Sequence, residues 1–432
     1  MVHPSDSIRG RATSLLAGRR IVLGISGSIA AIEVPRIARE LIRHGADVQA
    51  VMSADATRLV TPAVIEFATG HPPVVQLSGN VEHVTLLGPG EGRADLYLIA
   101  PATANTIAKI AHGIDDTPVT ACASMALGGG VPILIAPAMH THMGLNPAVR
   151  ENLEKLRSWG IELVQGPAVE GEEKLATPEE VAAAVLHRAA GPPWAGRAVI
   201  VIAGAAREPI DRVRSITNES SGATGVALAT QAHFRGANVE LWTGPMQVPI
   251  PSFLATRTWQ SVADLAALAR RRARELRKAS AIFVPAALSD YTTTRTPGKI
   301  SSHDRADLKL VLRRAPKVLP ELRRLAPPPT RLIGFKLEAD RSDAELEASA
   351  RRLQRDVGLD WVIANDVATM GSPTTNALVL PPRGGRHWIR GTKSTFAGKL
   401  LDDVGRELNN RQARPPARAP RAPKPAARRH RP

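Results

Sequence analysis

The stretch Gly204-Ala-Ala-Arg-Glu-Pro-Ile-Asp-Arg-Val-Arg-Ser-Ile-Thr-Asn-Glu-Ser-Ser-Gly222 decides the reading of this chain. An apolar run, Ala198 to Ala203, leads into it, and an alanine-rich run of helical character, Val226 to Ala232, follows. That order predicts a strand, a long polar loop and a helix N-terminus. The first N–H groups of such a helix are unpaired and the helix dipole adds positive potential, so the element suits an anion. Arg207, Arg212 and Arg214 supply three cations against the carboxylates of Glu208 and Asp211. The same residues also read more plainly, because Ser and Asn before a helix are ordinary N-caps.

The pattern recurs nearer the start. Ile21-Val-Leu-Gly-Ile25 is an apolar run ending in Ser26-Gly-Ser-Ile-Ala-Ala31, and helical spacing follows. Asp47–Met52, Leu96–Ala100 and Val131–Ala136 are further strand candidates separated by helical patterns, which predicts a parallel sheet covered on both faces. After the turn-rich Gly191-Pro-Pro-Trp-Ala-Gly196, a second set appears: Val199–Ala203, Val239–Trp242, Ala281–Val284, Leu332–Phe335 and Trp361–Ala364. Asp264 to Lys278 between them reads as a basic helix with a solvated face. The fold class expected is α/β: two doubly wound, Rossmann-like or flavodoxin-like parallel-sheet domains in tandem. The divisions expected are 1–190, a linker 191–196, 197–410, and a tail 411–432.

Composition bounds the function classes. At 432 residues, 44% hydrophobic and 22% charged, the chain is globular and long enough for two or three domains. Aromatics at 3% leave the cores to Ala, Val, Leu and Ile. Its one cysteine, Cys122, excludes an intramolecular disulfide and a Cys-based metal cluster, and fits a reducing cytoplasm. The net charge of +16 is not spread evenly, since seven Arg and one Lys without an acid fall between Arg411 and Pro432. That Pro- and Ala-rich tail is expected to be disordered, serving either as a solubilising segment or for non-specific contact with RNA or another polyanion. Met1 to Arg20 lacks a sustained apolar core, so no secretory signal is expected. Thr117 to Val149 has no Lys, Arg, Asp or Glu, but its glycines and prolines suit a buried strand with loops rather than a membrane span.

Strand ends along one edge of such a sheet gather ligand sites. In the first half three loops qualify: Gly27-Ser28, Pro101-Ala-Thr-Ala-Asn-Thr106 and Pro137-Ala-Met-His-Thr-His-Met143. Thr103, Asn105 and Thr106 offer uncharged hydrogen bonds that suit a flavin edge or a phosphate, or simply Asx and Ser/Thr turns. The opening glycine turn lacks the full G-x-G-x-x-G of an ordinary dinucleotide site.

The Gly204–Gly222 loop resembles the signature of phosphopantothenate–cysteine ligases, T-x-E-P-[IL]-D-P-V-R-x-[IL]-[ST]-N-x-S-S-G. Ala206 stands where Thr is usual, Arg212 where Pro is usual, and Ala223-Thr224 where Lys-Met is common. The first-half loops resemble those of cysteine-decarboxylating flavoproteins: G-[IS]-x-G-[SG]-I-A, P-A-[ST]-A-N-T and P-A-M-N-x-x-M. Together they resemble the bifunctional coenzyme A biosynthesis proteins, on an archaeal-like branch, from about Arg20 to Asp403.

For the first half the resemblance implies FMN contacted by Gly27, Ser28, Ser53, Thr103, Asn105 and Ser124. It implies a catalytic His83, in Glu82-His-Val-Thr-Leu86, where a lone histidine would otherwise read as structural. His140 stands in place of the Asn that holds the substrate carboxylate, and Met143 completes that motif. The implied reaction oxidises the thiol of 4′-phosphopantothenoylcysteine to a thioaldehyde, loses CO₂ and returns the electrons. One departure is large: many members carry a lid cysteine that protonates the product, and Pro167 to Glu180 contains none. His140, Glu172, Glu173, Lys174 or water would have to serve.

For the second half it implies ligation of 4′-phosphopantothenate with L-cysteine through an acyl-cytidylate, using CTP and Mg²⁺. Asp290 and Lys299 inherit CTP roles, Asn218 would hold the acyl intermediate, and Ser220, Ser221, Gly222, Ala286, Pro316, Lys317 and Phe335 fall in nucleotide-contact segments. Arg207 or Arg214 would take the substrate phosphate on charge alone. Two lysines usual before the last strand fall on Leu353 and Val357, with Arg351, Arg352 and Arg355 nearby. Metal ligands are not assigned. The family assembles as trimers through the decarboxylase and dimers through the ligase, so a homo-oligomer is implied. Two other readings stay open: a working ligase with a silent first half, and a flavin-binding regulatory protein. A flavin prenyltransferase would share the first-half fold without explaining Gly204 to Gly222.

Overall fold

The computed structural model describes residues 3–166, 168–169, 172–173, 175–301, 307–367 and 371–412. Its first sheet is built from β1 (Arg20–Ile25), β2 (Asp47–Met52), β3 (Leu96–Ala102), β4 (Ile133–Pro137) and β5 (Glu162–Leu163). All pair in parallel, in the order β2-β1-β3-β4-β5. Every residue of β3 is buried, as expected of a strand covered on both faces. Ile21, Leu23 and Ile25 pack on one face with residues of the helices Val34–Arg43 and Pro178–Ala189. Val22 and Tyr97 pack on the other, against residues of Ala104–His112 and Pro118–Gly129. The period of two in the sequence thus sorts one strand into two cores.

The second sheet contains β6 (Ala198–Ala203), β7 (Asn238–Thr243), β8 (Ala255–Thr258), β9 (Ala281–Val284), β10 (Arg331–Glu338), β11 (Trp361–Asp366), β12 (Thr374–Leu380) and β13 (His387–Thr392). Their order is β8-β7-β6-β9-β10-β11-β12-β13, parallel up to β11 and antiparallel beyond. Counted from β6, the parallel part runs 3-2-1-4-5-6, the dinucleotide-fold order, and it reverses between β6 and β9. The first sheet reverses between β1 and β3 in the flavodoxin order. Both reversals open a crevice at the carboxyl ends of the strands.

Each strand marked from sequence coincides with an observed one to within a few residues. Several features were not foreseen, the short edge strands β5 and β8 among them. The polar loop contains its own ribbon, Arg207–Pro209 against Ser215–Thr217. The basic helix is broken at Arg272 into Val262–Arg271 and Ala273–Lys278. The β12–β13 hairpin escapes an apolar-run criterion because β13 is an edge strand in which only Ile389 is fully buried.

The turn at 191–196 is firmly held. Trp194 is 1% exposed, and its indole N–H donates to the Leu401 carbonyl at 3.0 Å. The helices Pro178–Ala189 and Ala223–Phe234 meet across the two halves. There the His187 and His233 rings stack at 4.4 Å and Phe253 lies 4.8 Å from His233. Burial, and then His187, pushes the His233 imidazole down to about 4. Among the described residues no helix is long and apolar enough to cross a membrane. The uncharged Thr117–Val149 stretch folds as the helix Pro118–Gly129, then β4, then the short helix Thr141–Gly144. Residues 413–432 of the basic tail lie outside the described residues.

Candidate active sites

Parallel strands end on one edge, which brings the residues after β1, β2, β3 and β4 together. Ser26, just past β1 and 1% exposed, donates to the Pro101 carbonyl at 2.7 Å and accepts from the Thr103 N–H at 3.0 Å. It ties the two strand ends that flank the reversal. Three helix starts open there: Ser28 accepts from Ala30 N–H, Ser53 from Ala56 N–H and Thr103 from Thr106 N–H, at 3.2–3.3 Å. Having accepted, Ser28 and Ser53 keep a hydroxyl proton to donate. Gly27 is a close approach, since a Cβ there would lie 2.4 Å from the Asp55 Cβ. Asn105 is exposed on the same edge. Ser124 differs, because its hydroxyl donates to the Asp115 carboxylate at 2.5 Å.

His83 sits on the helix Glu82–Leu87 with its Nδ1 buried and without a hydrogen-bond partner. His140, exposed after β4, caps the helix Thr141–Gly144 by accepting from His142 N–H at 3.2 Å, and the two rings stack at 5.0 Å. Met143 is half exposed beside them. Of the acids considered for the lid, Glu172 and Glu173 lie in a short strand paired with Ala168–Val169, and Lys174 lies outside the described residues. Cys122 is no substitute for a lid thiol: it is fully buried, and burial pushes it up to about 12.

In the second half a cleft of about 930 Å³ lies at the β6–β9 reversal. Asn218, Ser220, Ser221 and Gly222 of the signature loop line it. Ala286, Asp290, Pro316 and Lys317, from the segment between β9 and β10, and Phe335, within β10, line it too. Gly222, at φ +78°, is the N-cap of Ala223–Phe234 and offers no side chain to the helix amides. Ser220 and Ser221 accept from the Gly222 and Ala223 N–H groups at 3.4 and 3.3 Å. Asn218 donates through its side-chain amide to the Leu288 carbonyl at 3.1 Å. Asp290 and Lys317 pair at 2.5 Å.

The loop is held by the two carboxylates that the sequence offered only as charge balance. Glu208, 3% exposed, accepts from Val262 N–H and from the Thr292 hydroxyl, both at 2.8 Å. Asp211 accepts from Val213 N–H at 2.7 Å, Arg214 N–H at 2.6 Å and Ile300 N–H at 3.1 Å, and pairs with the Arg214 guanidinium at 2.8 Å. The Val213 N–H above all, then the other amides and Arg214, hold its carboxyl at about 2. Ionised acids whose lone pairs meet backbone amides act as rigid pins.

Three candidates stand outside the cleft lining. Arg214 is engaged by Asp211 and by the Ile300 carbonyl, Arg207 is exposed on the ribbon, and Lys299 lines a separate pocket of about 540 Å³ with Lys309 and Arg313. Leu353 and Val357 do line the cleft, whereas Arg351 pairs with Glu347, so arginine does not take over the position of the absent lysines. Lys336 and Lys393, which sequence reasoning missed, also line it. Among the described residues no group of three or more His, Cys, Asp or Glu is placed to hold a metal ion.

Two tandem α/β halves, one with a hydroxyl-lined flavodoxin-type edge and one with a cleft where a polar loop feeds a helix start, define a flavoprotein-type half joined to a second, dinucleotide-fold half. Comparison with known proteins agrees. Residues 10–190 match the family described as Flavoprotein, and 194–408 match the DNA/pantothenate metabolism flavoprotein C-terminal domain. A coenzyme A biosynthesis bifunctional protein from Thermococcus kodakarensis is 41% identical over 409 residues, covering 94% of this chain and 100% of the relative. Its counterpart from Methanocaldococcus jannaschii is 35% identical, covering 85% and 88%, and that from Escherichia coli K12 is 32% identical, covering 90% and 97%. Among solved structures, the Streptococcus pneumoniae DNA/pantothenate metabolism flavoprotein is 24% identical with a TM-score of 0.44, covering 49% of this chain and all of that one. The FMN-dependent cysteine decarboxylase SpaF is 37% identical with a TM-score of 0.34, covering 37% and 91%. The chain belongs to the family of coenzyme A biosynthesis bifunctional proteins. It is an enzyme with a phosphopantothenoylcysteine decarboxylase half and a phosphopantothenate–cysteine ligase half.

Proposed function

We propose that this chain converts 4′-phosphopantothenate to 4′-phosphopantetheine, ligating in residues 197–410 and decarboxylating in residues 1–190, with 191–196 as the connection and 411–432 as a basic tail. The observation that carries the reading is the cleft at the β6–β9 reversal, lined jointly by Asn218–Gly222, Asp290, Lys317 and Phe335. The substrate carboxylate attacks the α-phosphorus of CTP, the bond to the β-phosphate breaks, and pyrophosphate leaves. The amine of L-cysteine then attacks the acyl carbon, and CMP leaves. Charge grows on the departing groups, so donors fixed in advance matter most. Ser220, Ser221 and the first amides of Ala223–Phe234 supply them.

Asn218, steadied by Leu288, keeps its side-chain oxygen and one N–H for the acyl intermediate. Ala286 and Pro316 shape the nucleotide pocket, Phe335 gives it an apolar wall, and Asp290 engages CTP. Mg²⁺ would be held chiefly by the nucleotide itself and would offset the charge that grows on the departing pyrophosphate. Lys299 serves from a turn fastened to the signature loop, where Arg212 N–H donates to the Gly298 carbonyl at 3.0 Å. Arg207 rather than the engaged Arg214 takes the substrate phosphate.

The first-half edge fits FMN because Ser28 and Ser53 have protons to donate and Gly27 admits a close approach. FMN, when bound, supplies the reversible two-electron oxidation of the substrate thiol that makes CO₂ loss easy. Thr103 and Asn105 contact the cofactor, and Ser124 orders the adjoining loop through Asp115. His83 takes the thiol proton, while His140 and Met143 hold the cysteinyl carboxylate. With no cysteine in 167–180, His140 is the acid on this edge that returns a proton. The enzyme works in the cytoplasm as a homo-oligomer, trimeric through the first half and dimeric through the second. Exposed Ile29, Ile32 and Phe67 in one half, and Val213 and Val311 in the other, support such contacts.

The test is a mass-spectrometric end-point assay on FMN-loaded protein given 4′-phosphopantothenate, cysteine, CTP and Mg²⁺. Phosphopantetheine with CMP is the expected result. Accumulation of phosphopantothenoylcysteine would leave the ligase standing and the first half silent, and neither product would overturn the proposal.

A further inference from the structure

Three lysines line the ligase cleft: Lys317, Lys336 and Lys393. Two are already neutralised, Lys317 by Asp290 at 2.5 Å and Lys336 by Glu338 at 3.2 Å. The Lys393 ammonium has no hydrogen bond or ion pair among the described residues; only its backbone N–H is engaged, with the Pro373 carbonyl at 3.2 Å. Its position is unfavourable in two further ways. It is the first residue of the helix Lys393–Gln412, the end at which the helix dipole repels a cation. Burial also pushes its ammonium down from the ordinary lysine range.

The helix start that carries the lysine is nevertheless held firmly in place. Phe396, one turn further on, is 1% exposed and lines the same cleft. Ser394 accepts from the Gln231 side-chain amide at 3.0 Å, which fastens this helix start to Ala223–Phe234. The first turn of Ala223–Phe234 lies on the cleft as well. A partly desolvated, unpaired cation at the wrong end of a helix whose start is firmly fastened is an arrangement that a bound anion would complete.

We propose that Lys393 is a phosphate-binding residue of the ligase cleft, its ammonium taking an oxygen of a phosphate group. The source is either the triphosphate of CTP or the phosphate monoester of 4′-phosphopantothenate. The proposal rests on the reading of this cleft as the ligase site.

The experiment uses the full chain as wild type, K393Q and K393R. Thermal unfolding is followed without ligand, and calorimetric titrations are run separately with Mg·CTP and with 4′-phosphopantothenate. Loss of one charge-assisted contact should weaken K393Q for one of the two ligands by about tenfold to a hundredfold. The arm that weakens identifies the source, and K393R should bind within a few-fold of wild type. Without ligand, K393Q should unfold at the wild-type temperature or above it, because an uncompensated cation has been removed. Wild-type affinity of K393Q for both ligands overturns the proposal, and a lowered unliganded unfolding temperature with unchanged affinity does so too, marking a structural lysine. If the wild type binds neither ligand, the reading of the cleft itself falls, a result separable from failure of K393Q alone.

Discussion

Replacing Glu208 with alanine should loosen the ligase cleft from behind, without removing any residue that lines it. The carboxylate is 3% exposed and both oxygens are used, by the Val262 N–H and the Thr292 hydroxyl at 2.8 Å each. A hydrogen bond to a charged group contributes about 1.5–3 kcal/mol, so the pair is worth roughly 3–6 kcal/mol. Water entering the vacated space recovers part of this, which makes ~3 kcal/mol the expected loss for E208A. E208Q is the control. Its amide oxygen still accepts from Val262, and its NH₂ donates to a Thr292 hydroxyl that rotates to accept, so ~1 kcal/mol is expected.

For a unit of this size each kcal/mol lowers the unfolding temperature by about 2–4 °C, so E208A should fall by roughly 6–12 °C. Tryptophan fluorescence reads the relevant half, because Trp194, Trp242, Trp259, Trp361 and Trp388 lie in or beside it and only Trp159 lies in the first. Ligase turnover should drop with stability while the flavin content of the first half is unchanged. E208A within about 1 kcal/mol of wild type, or E208Q as damaging as E208A, would refute the pinning role assigned to this carboxylate.

Acid should weaken the contact between the halves. The folded His233 value of about 4 lies below the ordinary 6.5, so the unfolded chain binds more protons between those values. The contribution is complete above the unfolded value and is lost as pH falls toward 4, amounting to ~3 kcal/mol. H233F, which keeps the stack but cannot titrate, should flatten that dependence in urea midpoints measured across the window, and an unaltered slope would count against it. Cys122 should not react with a disulfide reagent at neutral pH until the chain unfolds, then give one equivalent, because its thiolate is negligible and buried. Fast labelling of the native protein would contradict that placement. Ser26→Ala breaks the tie between Pro101 and Thr103 and should cost about 1–3 kcal/mol at the first-half edge. Purified S26A should carry less flavin by absorbance while CTP-dependent ligation persists, and full flavin occupancy would rule the tie unimportant.

Much of this protein is legible in one dimension because parallel strands covered on both faces must be nearly continuous apolar runs. Ile21–Ile25, Leu96–Ala100, Val199–Ala203 and Ala281–Val284 announce themselves in that way, and the glycine- and hydroxyl-rich loops after them mark the working edge of each sheet. The signature from Gly204 to Gly222 likewise identified the family, and its last residues, Thr217 to Gly222, line one wall of the cleft, since a loop feeding a helix start is a local device. What the sequence could not settle are pairings between distant segments. Glu208 and Asp211 look like counter-charges to nearby arginines until the fold brings Val262, Thr292 and Ile300 to their oxygens. Lys299 is marked by motif, but the sequence does not show that the turn carrying it lines a pocket separate from the cleft. Lys393 carries no motif in the sequence, and only the fold brings it to the cleft. The edge hairpin β12–β13, half polar, shows its partners only once β11 is in place. Burial patterns and capping act over a few residues and can be read along the chain, whereas the value of a charge depends on what the folded backbone sets beside it.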